Sequence, residues 1–373
     1  MPRTALRAFA GLLTAVLATV AHANSPHTDP SVVPGSCAAC HDGHGVSRSP
    51  MLPAAQTQVC MTCHGTSAQR DGAVTRGLVA PGTQPTLLSS VFSLPYTHPV
   101  SEDAFSRTDP GAVTCSSCHA PHRGSSQLAT TVGGATGRRI STRDPARFEF
   151  ELCESCHGRE GIKTQSLTDI SRLLNPNNRS YHPIEAPSME GSESVFVALS
   201  GTEIDCTDCH GNSDPAGPAG PHGSRVPFIL RAAYTTVDGS PESAAAYGLC
   251  YTCHERDRVL DSPVFPEHRL HIVERRASCA TCHNPHGSVA NRSLIRFGEE
   301  TVVSGVSPSA STGRLAFESS VAGSGTCYLT CHGRDHAPEA YGAGTPSLET
   351  FQERPFSSGV RPGTDTRVPR RRR

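Results

Sequence analysis

The sequence predicts a fold of mostly irregular coil, with short helices at repeated cysteine motifs, a few short strands, and a core formed by bound groups instead of side chains. Composition is the first reason. Among 373 residues there is no tryptophan, aromatic residues make up 5% and hydrophobic residues 36%, and there are 34 glycines and 30 prolines. Side chains alone would give such a chain a marginal core. The second reason is that all 16 cysteines fall into pairs that are each followed at once by a histidine.

These eight motifs predict covalently bound haem c. Seven read CxxCH and the last reads CxxxCH. In a c-type site two thiols form thioethers to the porphyrin edge, and the adjacent histidine binds the iron as its proximal ligand. Zinc ribbons do not require a histidine directly after each second cysteine, and a disulfide framework leaves the eight histidines unexplained. The sequence therefore predicts eight haems that form the core.

The predicted haem ligands are the motif residues themselves. The thioether cysteines are Cys37, Cys40, Cys60, Cys63, Cys115, Cys118, Cys153, Cys156, Cys206, Cys209, Cys250, Cys253, Cys279, Cys282, Cys327 and Cys331. The proximal iron ligands are His41, His64, His119, His157, His210, His254, His283 and His332. The site at Cys327 and Cys331 stands apart, because its extra residue changes how the thiols span the porphyrin edge. At each motif a helical turn would place both thiols and the imidazole on one side of the chain.

The N-terminus predicts export. Arg3 and Arg7 precede an apolar stretch over 8–20, and an A-x-A cleavage site ends at Ala23. Residues 1–23 are therefore expected to be a signal peptide, since the apolar stretch is shorter than the roughly 20 residues that span a bilayer. The mature protein is expected in the periplasm or outside the cell, with no membrane span.

An internal repeat organises the rest of the chain. Motifs preceded by a leucine or valine alternate with motifs that continue into a second histidine, and one pair of motifs recurs every 75 to 95 residues or so. Residues 24–343 are therefore expected to contain about four two-haem modules. Residues 344–373 are expected to form a flexible basic tail, because they are rich in small and polar residues and end in four arginines.

The repeated elements resemble the multihaem cytochromes c with the doubled CxxCH motif. They are LCxxCH, a histidine followed by proline as at His98 and His182, and CxxCHxPHG. The resemblance covers about residues 27–336, and the sequence departs from the pattern at CYLTCH and in the insert before His222. The resemblance implies low-potential electron transfer in the periplasm or at the cell exterior, and some relatives polymerise into filaments.

Ten further histidines follow the predicted cleavage site, and their positions in the repeat suggest distal iron ligands. The predicted distal ligands are His27, His44, His98, His122, His182, His222, His271 and His286. His268 and His336 are left over, and His271 is preferred to His268 because its spacing resembles that of the family. Methionine ligands have few candidates, since only Met51, Met61 and Met189 follow the cleavage site. The sequence therefore predicts bis-histidine, low-spin haems of negative potential.

The second axial ligand separates an electron carrier from an enzyme, because a haem with two histidine ligands has no open position for a substrate. We therefore expect an electron-transfer octahaem cytochrome that serves other redox proteins or terminal electron acceptors. A monomer, a homo-polymer and a porin–cytochrome complex all remain open. A near-neutral formal charge of −1 gives no indication of a nucleic-acid partner. Two alternatives remain open: a filament-forming subunit, and an octahaem oxidoreductase for nitrogen or sulfur compounds with one open haem.

Overall fold

The computed structural model describes residues 25–46, 51–100, 113–119, 121–122, 148–158, 169–188, 191–299 and 305–342. The predicted signal peptide and the predicted tail both lie outside the described residues. Within the described ranges, no helix has the length and apolar character needed to cross a bilayer.

The helices are short, and many of them coincide with cysteine motifs, which confirms that part of the predicted fold. In chain order they are α1 (Gln56–His64), α2 (Ser67–Thr75), α3 (Ser89–Phe92), α4 (Cys115–Cys118), α5 (Glu149–His157), α6 (Ile170–Leu174), α7 (Cys206–Cys209), α8 (Gly248–Tyr251), α9 (Arg256–Leu260) and α10 (Cys279–Cys282). Four 3₁₀ turns cover Pro26–Thr28, Ser36–Ala39, Val197–Leu199 and Pro227–Ile229, and a π-helical segment covers Arg269–Glu274.

Four two-residue strands join distant parts of the chain. They are β1 (Tyr96–Thr97), β2 (Ser180–Tyr181), β3 (Gly223–Ser224) and β4 (Gly287–Ser288). β1 pairs antiparallel with β3, and β2 pairs antiparallel with β4. Both pairs need their glycine, because a Cβ atom at Gly223 would overlap the carbonyl oxygen of Val91 and one at Gly287 would overlap that of Leu173. This close approach explains the glycine in the repeated PHG sequence.

The C-terminal part of the described chain is an antiparallel sheet of β5 (Val306–Ser307), β6 (Ala316–Glu318), β7 (Gly325–Cys331) and β8 (Arg334–Tyr341). β7 is central, with β8 on one side and both β5 and β6 on the other. The eighth cysteine pair lies on β7, so the expectation of a helical turn at every motif is wrong for CxxxCH. Strand pairing on both sides of β7 fixes the extended conformation there.

Buried apolar side chains form small clusters beside motif cysteines. One consists of Phe297, Phe317 and Leu329, and the other of Tyr247, Leu260 and Ile272. The partly buried residues packed against the first include Cys282, Cys327 and Cys331, and those packed against the second include Cys279. Each cluster is therefore centred on a region where the sequence predicts a haem.

Candidate functional site

The imidazole rings of the chain meet in pairs. Seven of the eight motif histidines each lie opposite one histidine from outside the motifs, with ring centres 5.8 to 6.5 Å apart. The pairs are His27 with His64 (6.0 Å), His41 with His122 (5.9 Å), His98 with His157 (6.3 Å), His119 with His222 (5.8 Å), His182 with His254 (6.5 Å), His210 with His286 (6.3 Å) and His268 with His283 (6.4 Å).

This spacing fits one metal ion between two imidazoles. A metal–imidazole nitrogen bond is about 2 Å long and the nitrogen lies about 1 Å from the ring centre, so two rings on opposite sides of an ion have centres about 6 Å apart. Aromatic rings in direct contact can have similar separations. The pairing itself distinguishes the two cases, because each of the seven motif histidines meets a histidine from outside the motifs. The residues present therefore fit bis-histidine coordination.

Hydrogen bonds set the tautomer of several rings. The Nδ1–H of His64 donates to the carbonyl oxygen of Thr86 at 2.9 Å, that of His210 to Phe228 at 2.8 Å, and that of His283 to Ser293 at 2.7 Å. A carbonyl oxygen can only accept, so Nδ1 must carry the proton and Nε2 keeps its lone pair. Nε2 is thus available to a metal ion, and the carbonyl partner increases its basicity.

Burial favours the neutral form of several paired rings. Burial, followed by repulsion from His222, lowers the pKa of His119 to about 4. The pKa values of His254, His268 and His286 are also lowered to about 4, in each case first by burial. A metal-binding imidazole must be unprotonated, so these surroundings favour the form that coordinates iron.

The β1–β3 and β2–β4 strand pairs each position two of the paired histidines. His98 follows β1 and His222 precedes β3, and the Nδ1–H of His98 donates to the carbonyl oxygen of Pro221 at 2.7 Å. The β2–β4 pair repeats this arrangement, with a short hydrogen bond between the His182 ring and the Pro285 carbonyl. One strand pair therefore orients the ligands of two different motifs.

Two backbone turns of the same conformation hold two of the motif histidines, His210 and His283. Phe228 and Ile229 both adopt positive φ angles, 61° and 55°, and Ser293 and Leu294 do the same at 55° and 58°. Left-handed conformations are unfavourable for residues with a Cβ. Here they turn the carbonyl groups of Phe228 and Ser293 towards the rings of their motif histidines.

Four histidines lie differently from the sequence prediction. His44 is exposed and makes no ring contact with another histidine of the described chain. His268, and not His271, lies opposite His283. His271 instead lies opposite His336 at 6.3 Å, and these two form an eighth pair that contains no motif histidine. The HxxH spacing of 268 and 271 is the sequence signal that both residues of this segment could serve as ligands.

The thiols of each motif lie near enough to those of the next motif along the sequence to affect their pKa values. Burial, followed by the neighbouring Cys156 thiol, raises the pKa of Cys118 to about 11. Burial, followed by Cys253, raises the pKa of Cys209 to about 12. A thiol of one motif raises the pKa of a thiol of the neighbouring motif in the pairs Cys40 with Cys63, Cys60 with Cys115, Cys118 with Cys156, Cys153 with Cys206, Cys209 with Cys253, Cys250 with Cys279, and Cys282 with both Cys327 and Cys331.

One buried carboxyl group bridges two motif helices. Glu149, at the start of α5, is 2% exposed and accepts hydrogen bonds from the backbone N–H and the hydroxyl of Thr207 in α7, at 2.9 and 3.0 Å. Its carboxyl oxygens also lie near the thiols of Cys153 and Cys206. Burial raises the pKa of Glu149 to about 7, although the Thr207 hydrogen bonds lower it in part. Glu149 thus fixes the fourth motif beside the fifth.

Two protein-family models match parts of the chain. The one described as outer membrane cytochrome MtrC/MtrF-like, domains II/IV, matches residues 146–293. The one described as the doubled CXXCH motif matches residues 30–69. No curated protein matches the chain. Both family matches cover cysteine motifs at which the structure pairs the histidine rings.

Proposed function

We propose that the chain, whose family matches indicate a multihaem c-type cytochrome with doubled CxxCH motifs, transfers electrons outside the cytoplasmic membrane along a single file of eight haems. In the proposed file the haems follow one another in the order of their motifs in the sequence. The haem supplies the redox chemistry when bound, and the protein supplies its ligands, spacing and surroundings.

The one-to-one pairing of histidine rings is the observation that carries this proposal. A haem iron with two histidine ligands can gain and lose an electron but offers no position for a substrate. An oxidoreductase would need at least one haem with a single protein ligand. Seven motif histidines have a facing imidazole, which favours an electron carrier.

Contacts between neighbouring motifs support the single file. The backbone N–H and hydroxyl of Ser116 in α4 donate to the side-chain oxygen of Gln56 in α1, at 3.1 and 2.9 Å, which joins the second motif to the third. Glu149 and Thr207 join the fourth motif to the fifth. Cys282 packs in the same cluster as Cys327 and Cys331, which joins the seventh to the eighth.

The protein's own groups would tune each haem in a similar way. Carbonyl oxygens hold the Nδ1 protons of His64, His98, His210 and His283, which leaves Nε2 as the metal-binding nitrogen and increases its basicity. Similar ligands on every haem give similar negative potentials, and electrons can then move along the file in either direction.

Location and partners follow from the same proposal. The predicted signal peptide would export the chain, and the match to an outer membrane cytochrome family supports a position outside the cytoplasmic membrane. The proposed partners are other redox proteins, including a porin–cytochrome complex, and terminal electron acceptors that dock at the end haems.

Purified protein from a host that attaches haem c tests the proposal. We expect the sharp reduced absorption bands of haem c, an intact-mass gain equal to eight haems, low-spin paramagnetic resonance signals, and oxidation of the reduced protein by an added ferric acceptor. Colourless protein, or a strong high-spin signal in the native protein, would contradict the proposal.

The single-file order of the haems has a separate test. His182→Met should raise the potential of the sixth haem, because methionine ligation raises haem potentials. A high-potential haem inside a single file traps electrons and should reduce the flux through a protein film. His44→Met is the matched control, since His44 is exposed and lies opposite no other histidine of the described chain. Unchanged flux in His182→Met would indicate a branched arrangement.

A further inference from the structure

We propose that His271 and His336 bind the iron of the eighth haem and that His332, the histidine of the CxxxCH motif, does not. This inference rests on the proposed haem function, and it changes the ligand assignment that the motif alone gives. Three observations support it: the geometry of a hairpin, the contacts of His332, and the environment of His271.

The hairpin between β7 and β8 separates His332 from the cysteines. Cys331 pairs with Arg334, so His332 and Gly333 form a two-residue turn with φ angles of 44° and 81°. Two positive φ angles are typical of a type I′ turn, which joins adjacent strands tightly. His332 therefore lies at the tip of the hairpin and not beneath the motif.

His336 lies on the same face of the sheet as the motif thiols. Cys327, Leu329 and Cys331 all belong to the cluster around Phe297 and Phe317, so they share one face of β7. His336 on β8 is the register partner of Leu329, and directly paired residues of antiparallel strands point to the same face. The adjacent pair, Thr330 and Asp335, is joined by a hydrogen bond of 2.9 Å.

His332 uses Nε2, the nitrogen that the paired motif histidines leave available for iron, in a contact with a carboxylate. Its Nε2 lies 2.8 Å from a carboxylate oxygen of Asp238, and its side chain is 52% exposed. In His64, His210 and His283 it is Nδ1 that is hydrogen-bonded and Nε2 that stays available. The other oxygen of Asp238 accepts from the Ser278 N–H and the Thr281 hydroxyl at the seventh motif. His332 thus anchors the hairpin tip to that motif.

His271 is positioned as a ligand for a separate iron. Its Nδ1–H donates to the carbonyl oxygen of Glu267 at 2.8 Å, which leaves Nε2 available towards His336. His268, three residues earlier, faces His283. The ring of Phe265 lies near both, 4.9 Å from that of His268 and 5.7 Å from that of His271. One short segment therefore supplies distal ligands to the seventh and eighth haems.

The extra residue of the CxxxCH motif explains why its iron ligand differs from those of the CxxCH motifs. In CxxCH a helical turn brings the histidine under the porphyrin that the cysteines hold. In CxxxCH the cysteines lie on a strand, where the residue after the second cysteine enters the turn. The nearest imidazole on the thiol face is then four residues further along, at His336.

Two variants of the full haem-loaded protein test the assignment. His336→Ala and His271→Ala should each convert one haem in eight from low spin to high spin or lose that haem, seen by low-temperature paramagnetic resonance and intact mass. His44→Ala is the control and should keep eight low-spin haems. A His336→Ala protein with all eight haems low spin would overturn the proposal.

Acylation of the unaltered native protein tests His332 without changing the motif. Diethyl pyrocarbonate acylates imidazoles whose nitrogen is not bound to iron, and peptide mass mapping locates the products. We expect acylation at His332 and at the exposed His44, and none at His271 or His336. Protection of His332 together with acylation of His336 would overturn the assignment. Protein with the haem c bands would still satisfy the proposed function in that case, so the two failures are distinguishable.

Discussion

His98 and Pro221 are 123 positions apart in the sequence, and the Nδ1–H of the histidine donates to the carbonyl oxygen of the proline at 2.7 Å. His98 precedes the third motif but faces His157 of the fourth, and His222, next to Pro221, faces His119 of the third. His222 follows the fifth motif, so a histidine of one predicted module lies opposite a motif histidine of another. A two-haem module lacks part of its own coordination, so the modules are expected to fold together.

His98→Ala should open one coordination position and leave the rest of the file intact. The β1–β3 pairing uses backbone groups of Tyr96 and Thr97, so it should survive the substitution. We expect about one-eighth of the haem to become high spin, measured by low-temperature paramagnetic resonance on protein that still carries eight haems.

His44→Ala is the matched control for His98→Ala. The sequence predicts both residues as distal ligands, but His44 is exposed and His98 lies 6.3 Å from His157. We expect no change in spin state for His44→Ala. A new high-spin signal in this variant would mean that His44 binds iron and that the observed pairing is not the functional one.

The sequence could predict which residue types act here, but it could not predict which histidine faces which. The motifs and the repeated PHG sequence single out His98 and His222 as candidates. Their partners depend on the register of β1 with β3, which joins segments more than 120 positions apart. No local pattern encodes that register, because strands of two residues carry almost no periodic signal.

Glu149→Gln should change how stability depends on pH. Burial raises the pKa of Glu149 from the ordinary 4.5 to about 7, so the folded chain holds this proton more tightly than the unfolded chain does. The unfolding free energy should therefore fall as pH rises from 4.5 to 7, and then level off. Glutamine keeps an acceptor for Thr207 without the charge, so the variant should be more stable than the wild type above pH 7, by about 1–3 kcal/mol.

Denaturant midpoints at acidic and alkaline pH give the measurement for Glu149→Gln, and Glu203→Gln, at an exposed position, gives the control. The advantage of Glu149→Gln should shrink towards zero well below pH 4.5, where the carboxyl group is protonated in both states. A difference from wild type that stays constant with pH would show that the burial of Glu149 has no electrostatic cost.

Phe228 occupies a conformation that glycine prefers. Its φ angle is 61°, its side chain is 66% exposed, and its carbonyl oxygen accepts from the His210 ring. A residue with a Cβ in this region costs about 1–2 kcal/mol. We expect Phe228→Gly to be more stable than Phe228→Ala by about 1 kcal/mol, because both lose the same exposed ring but only glycine relieves the backbone. Thermal unfolding of the two variants measures this, and equal midpoints would contradict a left-handed residue at 228.

At the eighth cysteine motif the sequence pattern does not predict the local backbone structure. CxxxCH differs from the other motifs by one residue, and the expectation of a helical turn carries over from them without allowing for that insertion. β7 is fixed by its pairing with β5, β6 and β8, which are separated from it by turns and not by a recognisable repeat. His336 could have been found from the His-Gly turn at 332–333, since that turn sets which β8 residue shares a face with Cys331.

Protein made without haem-attachment machinery should be largely unfolded. Two of the apolar clusters in the described chain contain only three buried residues each, and both lie against motif cysteines. Without porphyrins the paired histidines would have no iron to bind, and the 34 glycines raise the conformational entropy that folding must overcome. Small-angle scattering should give a radius of gyration near the roughly 65 Å of an unfolded chain of the mature length, against roughly 20 Å for a compact one. Far-ultraviolet circular dichroism should show little helix. A compact haem-free chain would mean that side chains alone specify this fold.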